Sequence, residues 1–259
     1  MMRVLSLGGG VQSSTLALKC AHGEITAPDF AIFADTQDEP QSVYQWLEWL
    51  KTQLPFPVIT VSAGRLSEAA SRVRTSESGS KYLKPMIPAY IDNGGEKGIA
   101  MRQCTMDHKI GVIIKELNRR RAGREVRQYI GISFDELHRM KTSRKPWLHN
   151  AYPLVDRRLT RGHCLEWMER NGYPRPPRSA CVYCPFHSDK EWKRLKTEEP
   201  EEFARAVAFE KAYQTAYAGT PLTGTPYLHD SLEPLDTVEF TDSPQVDLFG
   251  NECEGMCGV

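Results

Sequence analysis

Gly8, Gly9 and Gly10 separate a short apolar run from a segment with a helical pattern. Residues 3–7 are predicted as a strand, the glycines as a turn, and residues 13–21 as a helix capped by the serine at its first position. Backbone N–H groups in such a turn point from the positive end of the helix dipole, where an anion binds well. The sequence therefore predicts a phosphate site, with a plain glycine turn as the alternative.

Strand and helix patterns alternate along the first part of the chain. Residues 30–33 and 58–61 are predicted as buried strands, with a helix over 40–54 between them. This alternation predicts an α/β fold with an open, mostly parallel sheet and helices on both faces. Later patterns predict a strand over 126–130 and helices over 110–120, 160–171 and 201–218.

Charge and chain start limit the class of protein. The 33 basic and 33 acidic residues cancel, so no overall field attracts nucleic acid or a membrane. The first apolar run is too short for a signal peptide or a spanning helix. We therefore expect a cytoplasmic protein with no membrane partner.

The glycine turn resembles a known phosphate-binding motif. Gly9, Gly10 and Ser13 match the Ser-Gly-Gly-x-x-Ser pattern of the PP-loop, and Gly8 stands where that pattern has serine. The chain is thus similar to the PP-loop (adenine nucleotide alpha hydrolase) superfamily and to its phosphoadenosine phosphosulfate (PAPS) reductase-like family. This resemblance implies that ATP or a phosphosulfate nucleotide binds at the loop, together with Mg²⁺. It extends the set of cofactor-binding residues to Gln12 and Ser14.

Asp35 and Thr36 end the second predicted strand. Ligands of open parallel sheets bind outside the carboxyl ends of the strands. A similar Asp-Thr stretch lines the adenosine pocket in the resembled family, which implies the same role here. The alternative is a solvent-facing acid that caps the next helix.

A charged segment follows the strand predicted over 126–130. It resembles the family pattern Gly-Ile-Arg-x-x-Glu-Ser-x-x-Arg: Gly131 and Glu136 are retained, Arg139 lies one position early, and Ser133 replaces the first arginine. The resemblance implies that Gly131 contacts the nucleotide and that Glu136 and Arg139 are catalytic. A hydroxyl cannot replace a bidentate guanidinium, so we expect a different anionic group on the substrate. Alternatively, the acids belong to the first turn of a helix.

Cys181 and Cys184 form a Cys-x-x-Cys turn, whose spacing lets two thiolates bind one metal or cluster iron. The segment around Cys104 resembles the cysteine motif of bacterial APS reductases and of their DNA-phosphorothioation relatives, which implies a third ligand. For the fourth position Cys164 is the first choice, and His187 or an exogenous ligand the second. The resemblance implies a [4Fe–4S] cluster, and zinc is the alternative.

The last cysteines lie in a stretch rich in Gly and Glu. Glu252 and Cys253 resemble the C-terminal Glu-Cys-Gly segment of sulfonucleotide reductases, which implies that Cys253 is a nucleophile on sulfur. Incidental thiols or a local disulfide with Cys257 are the alternatives.

Taken in order, these features divide the chain into three parts. We expect a PP-loop nucleotide-binding domain over residues 1–150, a Cys-rich helical region over 151–218 and an extended tail over 219–259. Residues 76–98, rich in Ser, Gly, Pro and Lys, are expected to be a long mobile loop over the carboxyl edge of the sheet.

Three functions fit this organisation. One is an ATP-dependent enzyme that adenylylates an acceptor and passes sulfur through a cluster, with a cysteine desulfurase as donor. Another is a thiol-dependent PAPS reductase in which Cys253 attacks sulfur and a thioredoxin-like protein resolves the product. The third is a zinc-stapled nucleotide-binding module. The acceptor, whether a nucleic acid (tRNA or DNA) or a small molecule, stays open.

Several arginines flank the cysteine motifs. They could hold phosphates or form a solvated basic face. These are Arg157, Arg158, Arg161, Arg175 and Arg178.

Overall fold

The computed structural model describes residues 1–241, so the predictions for Cys253 and Cys257 lie outside the described residues. The strands, in chain order, are β1 (Met2–Ser6), β2 (Phe30–Ala34), β3 (Val58–Val61), β4 (Arg74–Thr75), β5 (Lys81–Tyr82), β6 (Tyr90–Asp92), β7 (Lys97–Ile99), β8 (Val126–Ile130), β9 (Leu148–Ala151) and β10 (Thr225–Tyr227).

The α-helices are α1 (Val11–Ala21), α2 (Gln41–Gln53), α3 (Leu66–Ser71), α4 (Gly111–Arg121), α5 (Pro153–Asp156), α6 (Arg161–Arg170), α7 (Asp189–Glu198) and α8 (Pro200–Ala218). A π-helical turn, Thr105–Ile110, leads into α4, and a 3₁₀ helix, Phe134–Arg139, follows β8. Within residues 1–241, no helix combines the length and apolar character needed to cross a bilayer.

Five parallel strands form the main sheet in the order β3-β2-β1-β8-β9. This arrangement confirms the predicted α/β class. The chain moves outward from β1 to β3 and then crosses to β8 on the other side of β1. The strand order therefore reverses between β1 and β8, and in open sheets ligands bind at such a switch point.

Helices cover both faces of the sheet, as the fully buried interior strand β2 requires. On one face α1, α2 and α6 pack together through residues such as Leu16, Leu50 and Trp167. On the other face α4 packs Ile113 and Leu117 against β1 and β2. A further apolar cluster joins α7 and α8 to the Cys181 turn.

The structure corrects the predicted start of the first helix. Helix α1 begins at Val11, with Gly10 as a cap that has no side-chain hydrogen bond. Ser13 lies inside the first turn, where its hydroxyl accepts from the Gly8 N–H at 3.2 Å and donates to the Gly10 carbonyl at 3.3 Å. The hydroxyl thus holds the turn Gly8–Gly10, here called the glycine loop, and does not cap the helix.

Residues 76–98 also differ from the expected structureless loop. Strand β5 pairs with β4, and β6 pairs on either side with β7 and β10. Leu83, Met86 and Ile87 from this segment are buried. Lys84, Pro85 and Pro88 interrupt the apolar residues, so the segment gives no periodic signal, yet these apolar residues anchor it to the α7–α8 cluster.

Strand β9 and helix α7 were not predicted. The β9 sequence, Leu-His-Asn-Ala, has two polar residues in four, and α7 is mostly charged around Trp192 and Leu195. The domain boundary expected at residue 150 falls inside β9. Helix α6, beyond that boundary, packs against α1.

Candidate functional site

The glycine loop lies at the carboxyl end of β1 and leads directly into α1. Gly9 has φ = +82°, a conformation that side chains disfavour and glycine adopts freely. The first turn of α1 has no side-chain cap and no acidic residue. Its N–H groups and positive dipole end are therefore available to an anion.

Gly131 brings the end of β8 against the same helix start. A Cβ atom at Gly131 would lie 2.7 Å from Ser13 Cα and 2.8 Å from Ser13 N. Only glycine allows this approach of one backbone to another. Gly131, the glycine retained from the Gly-Ile-Arg motif, thus packs beside the glycine loop at the switch point between β1 and β8.

A polar network joins the loop to the 3₁₀ helix after β8. Gln12 Nε2 donates to Glu136 Oε2 at 3.0 Å and to Ser133 Oγ at 3.4 Å. Glu136 forms an ion pair with Arg139, and their side chains are only 15% and 9% exposed. On the other side, Arg161 Nη1 donates to Gln12 Oε1 at 2.9 Å. The structure therefore gathers two guanidinium groups around Gln12.

Ser14 and Asp35 make local contacts near the loop. The Ser14 hydroxyl is buried and accepts from the Trp46 indole at 3.0 Å, so it ties α1 to α2. Asp35 Oδ1 accepts from the Gln37 N–H at 2.7 Å and from the Tyr44 hydroxyl at 2.8 Å. Asp35 stands at the carboxyl end of β2, one strand away from the glycine loop.

Thr36 connects the sheet edge to the Cys-x-x-Cys turn. It is fully buried, and its hydroxyl lies 3.2 Å from the Cys181 sulfur. Two residues later Asp38 accepts from the Val182 N–H through its carbonyl and from the Tyr183 hydroxyl through its carboxylate, both at 2.8 Å. The structure thus brings the second-strand motif and the cysteine turn together.

The cysteine turn is closed by the Cys184 N–H, which donates to the Cys181 carbonyl at 2.9 Å. Burial raises the pKa of the Cys181 thiol well above its usual value, and the nearby Glu39 carboxylate adds to the effect. His187 places Nε2 3.0 Å from the same carbonyl. Burial holds the pKa of His187 well below its usual value, and the charge of Arg178 acts in the same direction.

Of the other two predicted metal ligands, only Cys104 lies near this turn. It is partly buried and packs against the apolar cluster that contains Cys181. Cys164 is fully buried in the other main cluster, with Leu16 and Trp167, and contacts Thr15. Burial raises its pKa to about 11. Helix α6 faces α1, so the structure does not bring Cys164 to the cysteine turn.

Three of the predicted ligands, Cys104, Cys181 and Cys184, lie in this region, and His187, the second choice for the fourth position, lies beside them. Among residues 1–241, no group of three or more Cys, His, Asp or Glu side chains is arranged to hold a metal ion. The Cys181 thiol instead contacts the Thr36 hydroxyl. The side chains present therefore do not complete the expected ligand set, and we derive no chemical step through a metal.

Sequence reasoning missed Ser179 as part of the loop. Its hydroxyl donates to the Gly8 carbonyl, and its oxygen lies 3.5 Å from where a Cβ of Gly9 would be. The two residues are 171 positions apart. A serine two residues before the Cys-x-x-Cys turn was the available signal, but its partner could not be predicted from spacing.

The fold and this site define an open α/β protein with a glycine loop at its switch point. No protein-family model and no curated protein sequence matches the chain.

Among solved structures, the chain is similar to the phosphoadenylyl-sulfate (PAPS) reductase from Candida auris in its phosphate complex. The TM-score is 0.43 and the identity 8%, over 68% of this chain and 75% of that chain. It is also similar to the U34-tRNA thiolase NcsA from Methanococcus maripaludis with its [4Fe–4S] cluster. There the TM-score is 0.38 and the identity 14%, over 82% of this chain and 72% of that chain.

Proposed function

We propose that this chain is a PP-loop enzyme of the PAPS reductase-like type that binds the phosphates of an adenine nucleotide at the glycine loop. The observation that carries the proposal is the convergence of the uncapped start of α1, Gly9 and Gly131 at the switch point of the sheet. Such a point combines free N–H donors with a helix dipole. The bound anion would lie beside the Gln12 network.

We propose ATP, and not a phosphosulfate, as the nucleotide, on the basis of the residue at position 133. Ser133, in place of the arginine of the resembled motif, is fully buried and contacts Gln12 and Glu136. No guanidinium therefore stands at that position to bind a sulfate bidentately. In the proposed reaction an acceptor oxygen attacks the α-phosphorus and the bond to the β-phosphate oxygen breaks. Pyrophosphate leaves, and the acceptor carries AMP.

Gly9→Ala tests where the nucleotide binds. An added Cβ would meet its neighbours at ordinary contact distances, 3.5 Å or more, so the main cost is the positive φ. Gly64→Ala is the matched control, because Gly64 has φ = +92° and open space around it. We expect Gly9→Ala to weaken ATP binding at least tenfold by titration calorimetry, and Gly64→Ala to leave it unchanged. Equal effects would overturn the location of the site.

Product analysis tests the reaction. Incubation with Mg²⁺, ATP labelled on the α-phosphate and candidate acceptors should give pyrophosphate and a labelled adenylyl product or AMP. Release of ADP and inorganic phosphate instead would contradict the proposal. A Cys253→Ser variant separates the thiol-dependent reductase, which needs that thiol to release sulfite from PAPS, from ATP-dependent adenylylation, which does not.

The sulfur-transfer part of the proposal is supported by the closeness of Cys104 to the Cys181–Cys184 turn. As arranged, these side chains do not complete a ligand set, so the sulfur-transfer hypothesis requires that binding of a [4Fe–4S] cluster, or of zinc, moves the Cys181 thiol away from Thr36. Iron, sulfide and zinc analysis of anaerobically purified protein and of Cys181→Ser tests it. Equal metal content in both proteins, or none in either, would exclude the cysteine turn as a metal site.

A further inference from the structure

A cavity of about 850 Å³ opens between the start of α6, the segment before the cysteine turn and α7. Six basic and two acidic side chains line it, a surplus of four positive charges. The basic residues are Arg161, Arg175, Arg178, Lys190, Lys193 and Arg194, and the acidic ones are Glu191 and Glu198. We call it the basic cavity. The whole chain is neutral, so this surplus is local.

The charges of the basic cavity differ in how they are used. Arg194 is held by Glu191 at 2.8 Å and by Glu199. Arg175 and Lys190 are exposed, and no carboxylate within residues 1–241 forms an ion pair with either. Unpaired cations that line a concave surface attract an anionic ligand. A volume of this size exceeds the need of a single phosphate.

The basic cavity adjoins the glycine loop. Arg161, on its wall, donates to Gln12 in the first turn of α1. Arg178, on the same wall, precedes Ser179, which donates to the Gly8 carbonyl. An anionic chain in the cavity would therefore end beside the phosphates of a nucleotide bound at the loop.

A second cavity of about 620 Å³ shares Arg175 with the first and has a different character. Leu165, Met168, Tyr173 and Pro174 line it, together with Gly172 and the exposed Glu169. The Tyr173 ring stacks on Trp167 with centroids 5.9 Å apart, and its hydroxyl lies 2.7 Å from His22 Nε2. A fixed, half-buried aromatic ring in an apolar recess is a platform on which a base can stack.

We propose that the two cavities together bind a single-stranded segment of nucleic acid, which is the acceptor of the reaction. Proteins bind single strands by combining cations, which contact the phosphate backbone, with aromatic side chains, on which the bases stack. A duplex keeps its bases stacked inside and could not use the Tyr173 recess. The role of the strand as acceptor rests on the proposed function, whereas binding of the strand can be measured separately.

Fluorescence anisotropy of the full chain with labelled 12-nucleotide single strands, of RNA and of DNA, tests the proposal between 50 and 250 mM NaCl. The variant is Arg175→Gln/Lys190→Gln, which changes two exposed side chains. For single strands the slope of log K against log salt falls by roughly 0.7 for each lost phosphate contact, so it should fall by about 1.4. Affinity at 50 mM NaCl should drop by roughly tenfold or more.

The matched control is Arg72→Gln/Lys115→Gln, two exposed cations that do not line either cavity. It should keep the wild-type slope and affinity. An abasic strand of equal length should bind roughly five- to a hundredfold more weakly, because it cannot stack on Tyr173. Equal binding of the abasic strand, or equal competition by inorganic tripolyphosphate, would overturn the proposal in favour of a plain phosphate site.

ATP titration of the same proteins keeps the two proposals apart. Arg175→Gln/Lys190→Gln should bind ATP as the wild type does. If the wild type binds the oligonucleotides but not ATP, the proposed function fails and the nucleic-acid site stands. If it binds ATP and both double variants have the same salt slope, the nucleic-acid site is wrong and the nucleotide site stands.

Discussion

Gly131 and Ser13 are in direct backbone contact: the end of β8 meets the first turn of α1 so closely that a Cβ on Gly131 would lie 2.7 Å from Ser13 Cα. This contact joins the two motifs on either side of the switch point. It fixes the distance between the glycine loop and the Gln12–Glu136 network, which a nucleotide would bridge in the proposed function.

Gly131→Ala should therefore push α1 away from β8. The clash involves backbone atoms, which cannot rotate aside, so we expect a loss of about 1–3 kcal/mol in the free energy of unfolding. ATP binding should also weaken. Gly162→Ala, where a Cβ would meet only Thr160 Oγ1 at 3.6 Å, should be neutral or slightly stabilising. Urea denaturation measures both, and equal stabilities would contradict the close contact.

The ion pair between Glu136 and Arg139 should be strongly coupled. Both side chains are largely buried, and they stand in the i,i+3 arrangement. In a double-mutant cycle with Glu136→Gln and Arg139→Gln, we expect a coupling energy of about 1 kcal/mol or more. The pair Glu48 and Lys51 has the same spacing but is exposed, and its coupling should be under about 0.5 kcal/mol. Similar couplings would show that burial does not strengthen the inner pair.

The first half of the sheet could be predicted from sequence because its strands are nearly all apolar. Strand β2 is buried at each of its five positions, and each run is bounded by a helix pattern or a turn residue. Strand β9 could not be predicted, since its polar His149 and Asn150 interrupt the apolar signal. Parallel pairing with β8, which no local pattern reports, makes it a strand.

Local motifs located the glycine loop, but not its long-range partners. Gln12 and Glu136 are 124 positions apart, and Ser179 reaches Gly8 from the cysteine region. Cys164 shows a different limit of motif reasoning. The sequence made it the first choice for a fourth ligand, but its side chain is buried against α1. The face that a helical residue presents depends on packing, which spacing alone does not give.

Asp189 should stabilise the protein in a pH-dependent way. Burial would raise its pKa, but hydrogen bonds from His229 and Thr241 outweigh this and hold the pKa below its usual 3.8. Its contribution is therefore present above about pH 3.8 and is lost as the pH falls through the lowered value.

Asp189→Asn tests this contribution by urea denaturation at several pH values. The stability difference from wild type should be largest near pH 7 and shrink below pH 3.8. Asp236→Asn removes an exposed partner of Lys211 and should cost less stability at pH 7 than Asp189→Asn does. A difference for Asp189→Asn that stays constant down to pH 2 would mean that its charge does not contribute.

Thiol reactivity should separate Cys104 from Cys164 and so decide which cysteines can share a site. Burial raises the pKa of Cys20 to about 12 and that of Cys164 to about 11, so these thiols stay protonated and unreactive at pH 8. Cys104, in contrast, is partly exposed.

In chelator-treated Cys253→Ser/Cys257→Ser protein, iodoacetamide should therefore modify Cys104 well before Cys20 or Cys164, as followed by peptide mass spectrometry. Denaturant should remove the difference. Modification of Cys164 at the rate of Cys104 in the native protein would mean that α6 does not hold it against α1, and would return it to the set of possible ligands.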